Sequence, residues 1–229
     1  MTLRSAIVVL AGGSGSRVGA DRNKVLLELA GQTILAYSVR HALGTASIRR
    51  LVVVHRPSDR DEIEHTLPAV LGLHDVWLVE GGLERHDSEW AALRALAPDI
   101  EAGEIDVVAI HDAARPLAPT RLFDLVVETA ARVGAAVPCL PAGALSRADG
   151  SAVSADLAAV QTPQAFRAPD LLTAYRRADA EGFRGTDTAA CLERYADLPV
   201  AAVPGERANL KVTFAEDVAA AEKLLGRTS

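Results

Sequence analysis

The chain has 229 residues, 24 Lys and Arg against 30 Asp and Glu, and a formal net charge of −6. That length suits one large domain, or one domain plus a small appendage, and a hydrophobic content of 49% argues against disorder. The acidic balance gives no support to a nucleic-acid partner, and no uninterrupted apolar run is long enough to cross a membrane. Cys139 and Cys191 form neither a disulfide framework nor a metal spacing, and the chain enters a strand pattern without a signal-peptide region. The expected setting is the cytoplasm.

The first predicted element is an apolar strand, Ala6–Leu10, which runs into Ala11-Gly12-Gly13-Ser14-Gly15-Ser16-Arg17, with Lys24 close behind. Glycine lets backbone N–H groups approach a ligand, and two cations nearby suit a polyphosphate. The turn lacks the Gly-Lys-Ser/Thr ending of a P-loop, and no acidic strand end follows at ribose-binding spacing. A structural turn with no ligand is the alternative.

Further apolar strands are predicted at Leu51–His55, Val76–Val79, Val107–Ile110 and Ala135–Pro138, the last with its proline at the end. Between them, Ile34, Val39, Ala42 and Leu43, then Ile63 and Leu67, and later Leu122, Leu125, Val126 and Ala130 follow helical spacing. Strands apolar throughout and separated by helices imply a mostly parallel, Rossmann-like α/β sheet with helices on both faces. Ligands of such sheets bind beyond the carboxyl ends of the strands.

Gly81-Gly82-Leu83-Glu84-Arg85-His86-Asp87-Ser88 follows the third strand. Its glycines can bring backbone to a flat base edge, and Ser88 could bond that base or simply cap a helix. His111-Asp112-Ala113-Ala114-Arg115-Pro116 follows the fourth. A carboxylate there can hold a phosphate-bound magnesium ion or a polyol hydroxyl, and Arg115 offers a fork for an acceptor phosphate. The bland alternative makes Asp112 a helix cap and Arg115 its salt-bridge partner.

From about 139 to 160 the periodicity breaks, and Asp149-Gly150 suits a hairpin turn. This is either an arm packing on a second subunit or a surface loop. Helices are predicted at Pro169–Ala180, from near Asp187, and at Ala215–Leu225. Asn209-Leu210-Lys211-Val212-Thr213 reads as a short strand with Lys211 facing away from its apolar neighbours.

In order, Ala11 to Arg17 with Lys24, Gly81 to Ser88, His111 to Pro116, Thr162-Pro163-Gln164, Thr186-Asp187 and Asn209 to Thr213 resemble the 2-C-methyl-D-erythritol 4-phosphate cytidylyltransferase family of polyol-phosphate cytidylyltransferases. The resemblance covers nearly the whole chain. It implies a single nucleotidyltransferase domain over 1–229, of the nucleotide-diphosphosugar-transferase fold, with 139–160 as a protruding, dimerising β-arm. The implied activity is transfer of a cytidylyl group from CTP to a phosphorylated polyol, with release of pyrophosphate and help from Mg2+ or another divalent cation.

The resemblance also implies the site. Arg17, Lys24 and Lys211 would be catalytic. Ala11, Gly12, Gly13, Ser14, Gly15, Gly82, Arg85, Ser88, Asp112 and Ala113 would hold the nucleotide. Asp112, Arg115, Thr186 and Lys211 would hold the acceptor, and Asp112 the metal. The chain departs from the family pattern at Ala144-Leu145 (usually Asp-Thr), at Ser154 (an arginine), at Asn23 (a proline) and at Thr188-Ala189-Ala190. Most of these lie on the acceptor side, so ribitol 5-phosphate as acceptor, or an inactive dimeric nucleotide binder, stand beside methylerythritol phosphate.

Overall fold

The computed structural model describes residues 2–13, 22–143, 149, 157–185 and 188–226. In chain order the elements are β1 (Ser5–Leu10), β2 (Glu28–Leu29), β3 (Gln32–Thr33), α1 (Ile34–Leu43), β4 (Ile48–His55), α2 (Arg60–Thr66), α3 (Pro68–Leu71), β5 (Trp77–Glu80) and α4 (Arg85–Glu101). There follow β6 (Val107–Asp112), α5 (Thr120–Val133), β7 (Ala135–Pro141), β8 (Ala158–Val160), β9 (Gln164–Arg167), α6 (Ala168–Ala180), α7 (Thr188–Tyr195), β10 (Val200–Pro204) and α8 (Ala215–Leu225).

The main sheet runs β10-β7-β9-β6-β1-β4-β5, with β8 paired to β7. Strands β1, β4, β5 and β6 pair parallel, as do β7 and β10. Strand β9 runs antiparallel between β6 and β7. The predicted mostly parallel sheet is therefore present, with helices on both faces.

Side-chain alternation divides the core. Ile7, Val9, Val53, Val107 and Ala109 face one way, toward α1 and α5, while Ala6, Val8, Val52, Val108 and Ile110 face α4 and α6. Each fully buried Val, Leu or Ile contributes about 1.5–3 kcal/mol, and a slip of one residue would send each stripe to the opposite helix layer, against side chains it does not fit. Helix α1 begins where Thr33 Oγ1 accepts the Ala36 N–H at 3.1 Å. Helix α5 buries Leu122, Phe123, Val126, Val127 and Ala130 along one stripe.

Two sequence expectations are corrected. The strand predicted to stop at Pro138 continues to Pro141. The Pro138 carbonyl accepts the Gln161 N–H at 2.8 Å, between β9 and β8, where β7 changes antiparallel partner and no donor of its own is required. Residues 209–213 are not a strand. They form an extended strap whose Val212 N–H donates to the Ala114 carbonyl at 2.8 Å. Lys211 and Val212 still point opposite ways, because alternation belongs to any extended backbone.

Strands β7 and β8 pair antiparallel, Cys139 with Val160 and Pro141 with Ala158, so the base of the predicted arm is a two-stranded ladder. Leu157 and Val160 are exposed on it. Ala144, Leu145, Gly150 and Ser154 lie outside the described residues. No described helix is long and apolar enough to cross a membrane.

Candidate active site

The register places four chain turns at the carboxyl end of the sheet. Leu10 sits opposite both Val54 and Asp112, and His55 opposite Glu80. The segments leaving β1, β4, β5 and β6 therefore emerge together. They enclose a cavity of about 800 Å³ lined by Gly12, Gly13, Lys24, Arg56, Pro57, Ser58, Gly81, Gly82, Arg85, Ser88, Asp112 and Lys211, among others. Among the predicted residues, Gly12, Gly13, Lys24, Gly82, Arg85, Ser88, Asp112 and Lys211 come together here.

Ala11, Ala113 and Arg115 stand behind this wall. Ala11 is buried and its carbonyl accepts from Asn23 Nδ2 at 2.7 Å. The Ala113 carbonyl accepts from Ser38 Oγ at 2.8 Å. Arg115 donates through Nη1 to the Asn209 carbonyl at 2.9 Å, which anchors the strap that carries Lys211. Ser14, Gly15, Arg17, Thr186 and Asp187 lie outside the described residues.

Asp112 is the electrostatic centre. Its Oδ2 is 2.7 Å from Lys211 Nζ, its Oδ1 bonds Arg85 Nη1, and Arg115 Nε is 3.9 Å away. Burial opposes ionisation, but Arg85 and then Lys211 outweigh it and hold this carboxyl well below the usual carboxylate range. Asp112 ends β6 and no helix begins there, so it is not a helix cap. Ser88 is not an N-cap either. It lies inside the first turn of α4, whose cap position is Glu84.

The backbone beneath Asp112 is held by a buried histidine. His111 is 0% exposed, and burial pushes its pKa down to about 3, so the ring is neutral near pH 7. One ring nitrogen, Nε2, lies 3.2 Å from the Arg115 carbonyl, which can only accept, so Nε2 carries the proton. Nδ1 then accepts from Thr162 Oγ1 at 3.2 Å, and Thr162 Oγ1 accepts the Asp112 N–H at 3.0 Å. The antiparallel course of β9 delivers Thr162 to this end of the sheet. Asn209 Nδ2 donates to the Thr162 carbonyl at 2.9 Å, so the strap and the β9 entry brace one another.

The glycines after β5 are needed for close approach. A Cβ on Gly82 would lie 2.2 Å from Asp87 Cβ, and one on Gly81 would lie 2.7 Å from Ser88 Oγ. Only glycine lets this turn lie flat on the start of α4.

Family comparison decides among enzymes that share such a fold. The family model for 2-C-methyl-D-erythritol 4-phosphate cytidylyltransferase (IspD) matches residues 5–227. The chain belongs to this family. An IspD relative of that name in Bacillus velezensis is 34% identical over 96% of this chain and 94% of its own. One in Synechococcus elongatus is 38% identical over 96% and 95%. The crystal structure of 4-diphosphocytidyl-2C-methyl-D-erythritol synthase from Anaerococcus prevotii superposes with a TM-score of 0.83 at 25% identity, covering 99% of this chain and 97% of that one.

Against the IspD pattern, two departures have structural partners. Asn23 is buried, and its Nδ2 donates to the Ala11 carbonyl and to Asp59 Oδ2, both at 2.7 Å. Its Oδ1 accepts the Val25 N–H at 3.3 Å and so caps the short turn that carries Lys24. Thr188 opens α7 and donates to Glu89 Oε1 at 2.8 Å. Residues 56–58 were not anticipated as part of the site. They follow the carboxyl end of β4, and the rule that points to the turns after β1 and β6 applies equally there. Arg56 is held against Asp59 by Nε at 2.9 Å and Nη2 at 3.1 Å.

Among the described residues no group of three or more His, Cys, Asp or Glu is placed to hold a metal ion. Asp112 and Glu84 are the carboxylates on the cavity wall. A magnesium ion is commonly held by one or two carboxylates together with substrate phosphates, and Asp112 fits that donor set.

Proposed function

We propose that this chain transfers the cytidylyl group of CTP to 2-C-methyl-D-erythritol 4-phosphate and releases pyrophosphate. The observation that carries the reading is one cavity in which two lysines, Lys24 and Lys211, share the wall with the glycine turns after β1 and β5. The names of the relatives above favour the methylerythritol acceptor over ribitol 5-phosphate and over an inactive nucleotide binder.

In this reading the flat turn at Gly81-Gly82 and Ser88 border the base, and Gly12, Gly13 and Lys24 meet the phosphates. An oxygen of the acceptor phosphate attacks the α-phosphorus in line. The bond to the bridging oxygen breaks, and the electron pair leaves with pyrophosphate. A phosphate monoester is largely dianionic near pH 7, so no strong base is required. The protein's contribution is placement and neutralisation of charge. Lys211 is half exposed and extends from a braced strap, so it can pass from Asp112 to the α-phosphate. Arg115 supports that strap and the acceptor side. Mg2+ bound by the triphosphate and Asp112 would neutralise phosphate charge.

The arm seated on the β7–β8 ladder would pack against a second copy, with Leu157 and Val160 at its base. Sedimentation at micromolar concentration tests this, and a monomer would refute it. The activity is tested with purified protein, CTP, Mg2+ and the acceptor. Pyrophosphate should appear together with the cytidine diphosphate adduct of methylerythritol. Turnover restricted to ribitol 5-phosphate, or CTP binding without turnover, would overturn the assignment.

A further inference from the structure

A carboxylate buried under the helices touches the site from behind. Glu89 lies one turn beyond Arg85 on α4 and is 0% exposed. Its Oε1 is 2.8 Å from Arg85 Nε and accepts from Thr188 Oγ1 at 2.8 Å. Its Oε2 accepts from the hydroxyl of Tyr175, itself fully buried on α6. The Tyr175 ring stacks on His86 at 4.7 Å between centroids, so the hydroxyl has little freedom to turn away.

We infer that Glu89 is a positioning residue of the nucleotide site, which grips Arg85 from behind and keeps its guanidinium on Asp112. The two ends of one guanidinium serve two carboxylates, Nε toward Glu89 and Nη1 toward Asp112. Two hydroxyls donate to the Glu89 oxygens, and Arg85 Nε, 2.8 Å from Oε1, adds an ion-pair contact without an aligned N–H···O bond. Burial raises the Glu89 pKa, and Arg85, Tyr175 and Thr188 each oppose that rise.

A buried ion pair is a poor source of stability, and an apolar side chain of similar volume often leaves a fold as stable or more so. An apolar residue could not aim a guanidinium. The aim matters because Asp112 holds Lys211 and Arg85 together. When Lys211 moves to the nucleotide phosphates, a free Arg85 would follow the same negative charge and strip Asp112 of its partner. Anchored to Glu89, Arg85 stays. Tyr175 and Thr188 come from α6 and α7, so three helices converge to fix one side chain at the cavity wall.

The kinetic consequence rests on the cytidylyltransferase reading; the geometry does not. The test compares wild type, Glu89→Gln, Arg85→Gln and the double variant, each assayed where circular dichroism shows it folded. Glu89→Gln should lower kcat/KM for CTP by about tenfold in the wild-type background and by less than about twofold in Arg85→Gln, because it acts through that residue. Equal effects in both backgrounds, or a folded Glu89→Gln at wild-type rate, would overturn the inference. If Glu89→Gln does not fold, Tyr175→Phe with Thr188→Val loosens Glu89 while keeping its charge. That pair should lower the rate in the same way, and an unchanged rate counts against the role.

A second readout needs no turnover. In protein labelled with ¹⁵N-arginine, the Arg85 Nε–H signal, identified by its loss in Arg85→Gln, should stand apart from those of the solvent-exposed arginines and exchange slowly, because Nε is buried beside Glu89. It should join the solvent-exposed arginines in Glu89→Gln, or in the loosened pair. An inactive wild type with this signature would sink the proposed reaction and leave the positioning role supported. Wild type lacking the signature would sink the role itself.

Discussion

Lys211 Nζ lies 2.7 Å from Asp112 Oδ2, joining the exposed residue of a half-buried strap to the buried end of β6. The two side chains differ in burial, with Lys211 43% exposed and Asp112 8%. Asp112 keeps Arg85 when the lysine leaves, so the pair can open without stranding a buried charge. This asymmetry suits a lysine that moves to the substrate and a carboxylate that stays.

Lys211→Ala should therefore be well folded and nearly inactive. Loss of one charge-neutralising donor in a preorganised site costs about 10²–10³ in kcat. The thermal midpoint should fall by only a few degrees, because the buried Asp112 keeps Arg85 and Arg115 beside it when the half-exposed lysine is removed. Steady-state kinetics beside a melting curve checks both. A variant that keeps kcat and loses only CTP affinity would show that Lys211 binds the ground state and transition state alike.

His111 gives a pH prediction. Its folded pKa is pushed down to about 3, chiefly by burial, against about 6.5 in the unfolded chain. Below the unfolded value, unfolding takes up a proton, so stability falls as pH drops from about 6.5 toward 3, by up to about 1.4 kcal/mol per pH unit. Asp112, whose carboxyl is depressed, acts in the same direction at lower pH, and Glu89, whose carboxyl is raised, acts oppositely. A difference from His111→Gln isolates the histidine. Urea midpoints between about pH 7 and 4 should decline less steeply in the variant. Parallel declines would mean that folding leaves the His111 pKa unshifted.

What was legible in the sequence was whatever depends on local pattern. The apolar runs of β1, β4 and β6 declare buried parallel strands, and the turns after β1, β5 and β6 declare the carboxyl end of the sheet, where ligands of such sheets bind. Strands β9 and β10 were missed. Gln164–Arg167 has four residues and Val200–Pro204 is alanine-rich and half exposed, so their pairing comes from neighbours far along the chain. The strap at 209–213 has a strand's alternation without a strand's partner. Glu89 resembles any polar position on a helix until Tyr175 and Thr188 are known to lie over it.

The cavity glycines separate ligand space from protein space. Among the described residues a Cβ on Gly13 would meet nothing within 4 Å, whereas one on Gly82 would overlap Asp87. Gly13→Ala should leave the melting temperature unchanged and raise the KM for CTP about tenfold, because the added methyl meets no described residue and would collide with the nucleotide. Gly82→Ala should do both kinds of damage, with about 1–3 kcal/mol lost from the forced backbone shift. Unaltered CTP kinetics in Gly13→Ala would move the phosphates away from this turn.

Asn23 offers the sharpest test of how this chain departs from the family pattern. Its side chain ties the end of β1, the Lys24 turn and Asp59 together through three hydrogen bonds. Asn23→Ala should cost about 2–3 kcal/mol, since each lost bond is worth about 1 kcal/mol and Asp59 loses a buried donor. It should also raise the KM for CTP more than that for the acceptor, because Lys24 is the adjacent residue. Asn23 has φ −59° and ψ 124°, values a proline adopts without strain. Asn23→Pro, which restores the family's usual residue, should recover part of the stability by stiffening the unfolded chain, but not the link to Asp59. Denaturant titration of the three proteins should therefore rank wild type above Asn23→Pro and Asn23→Ala last. A proline variant more stable than wild type would show that the side-chain links add less than backbone stiffness, and that Lys24 is placed by its backbone alone.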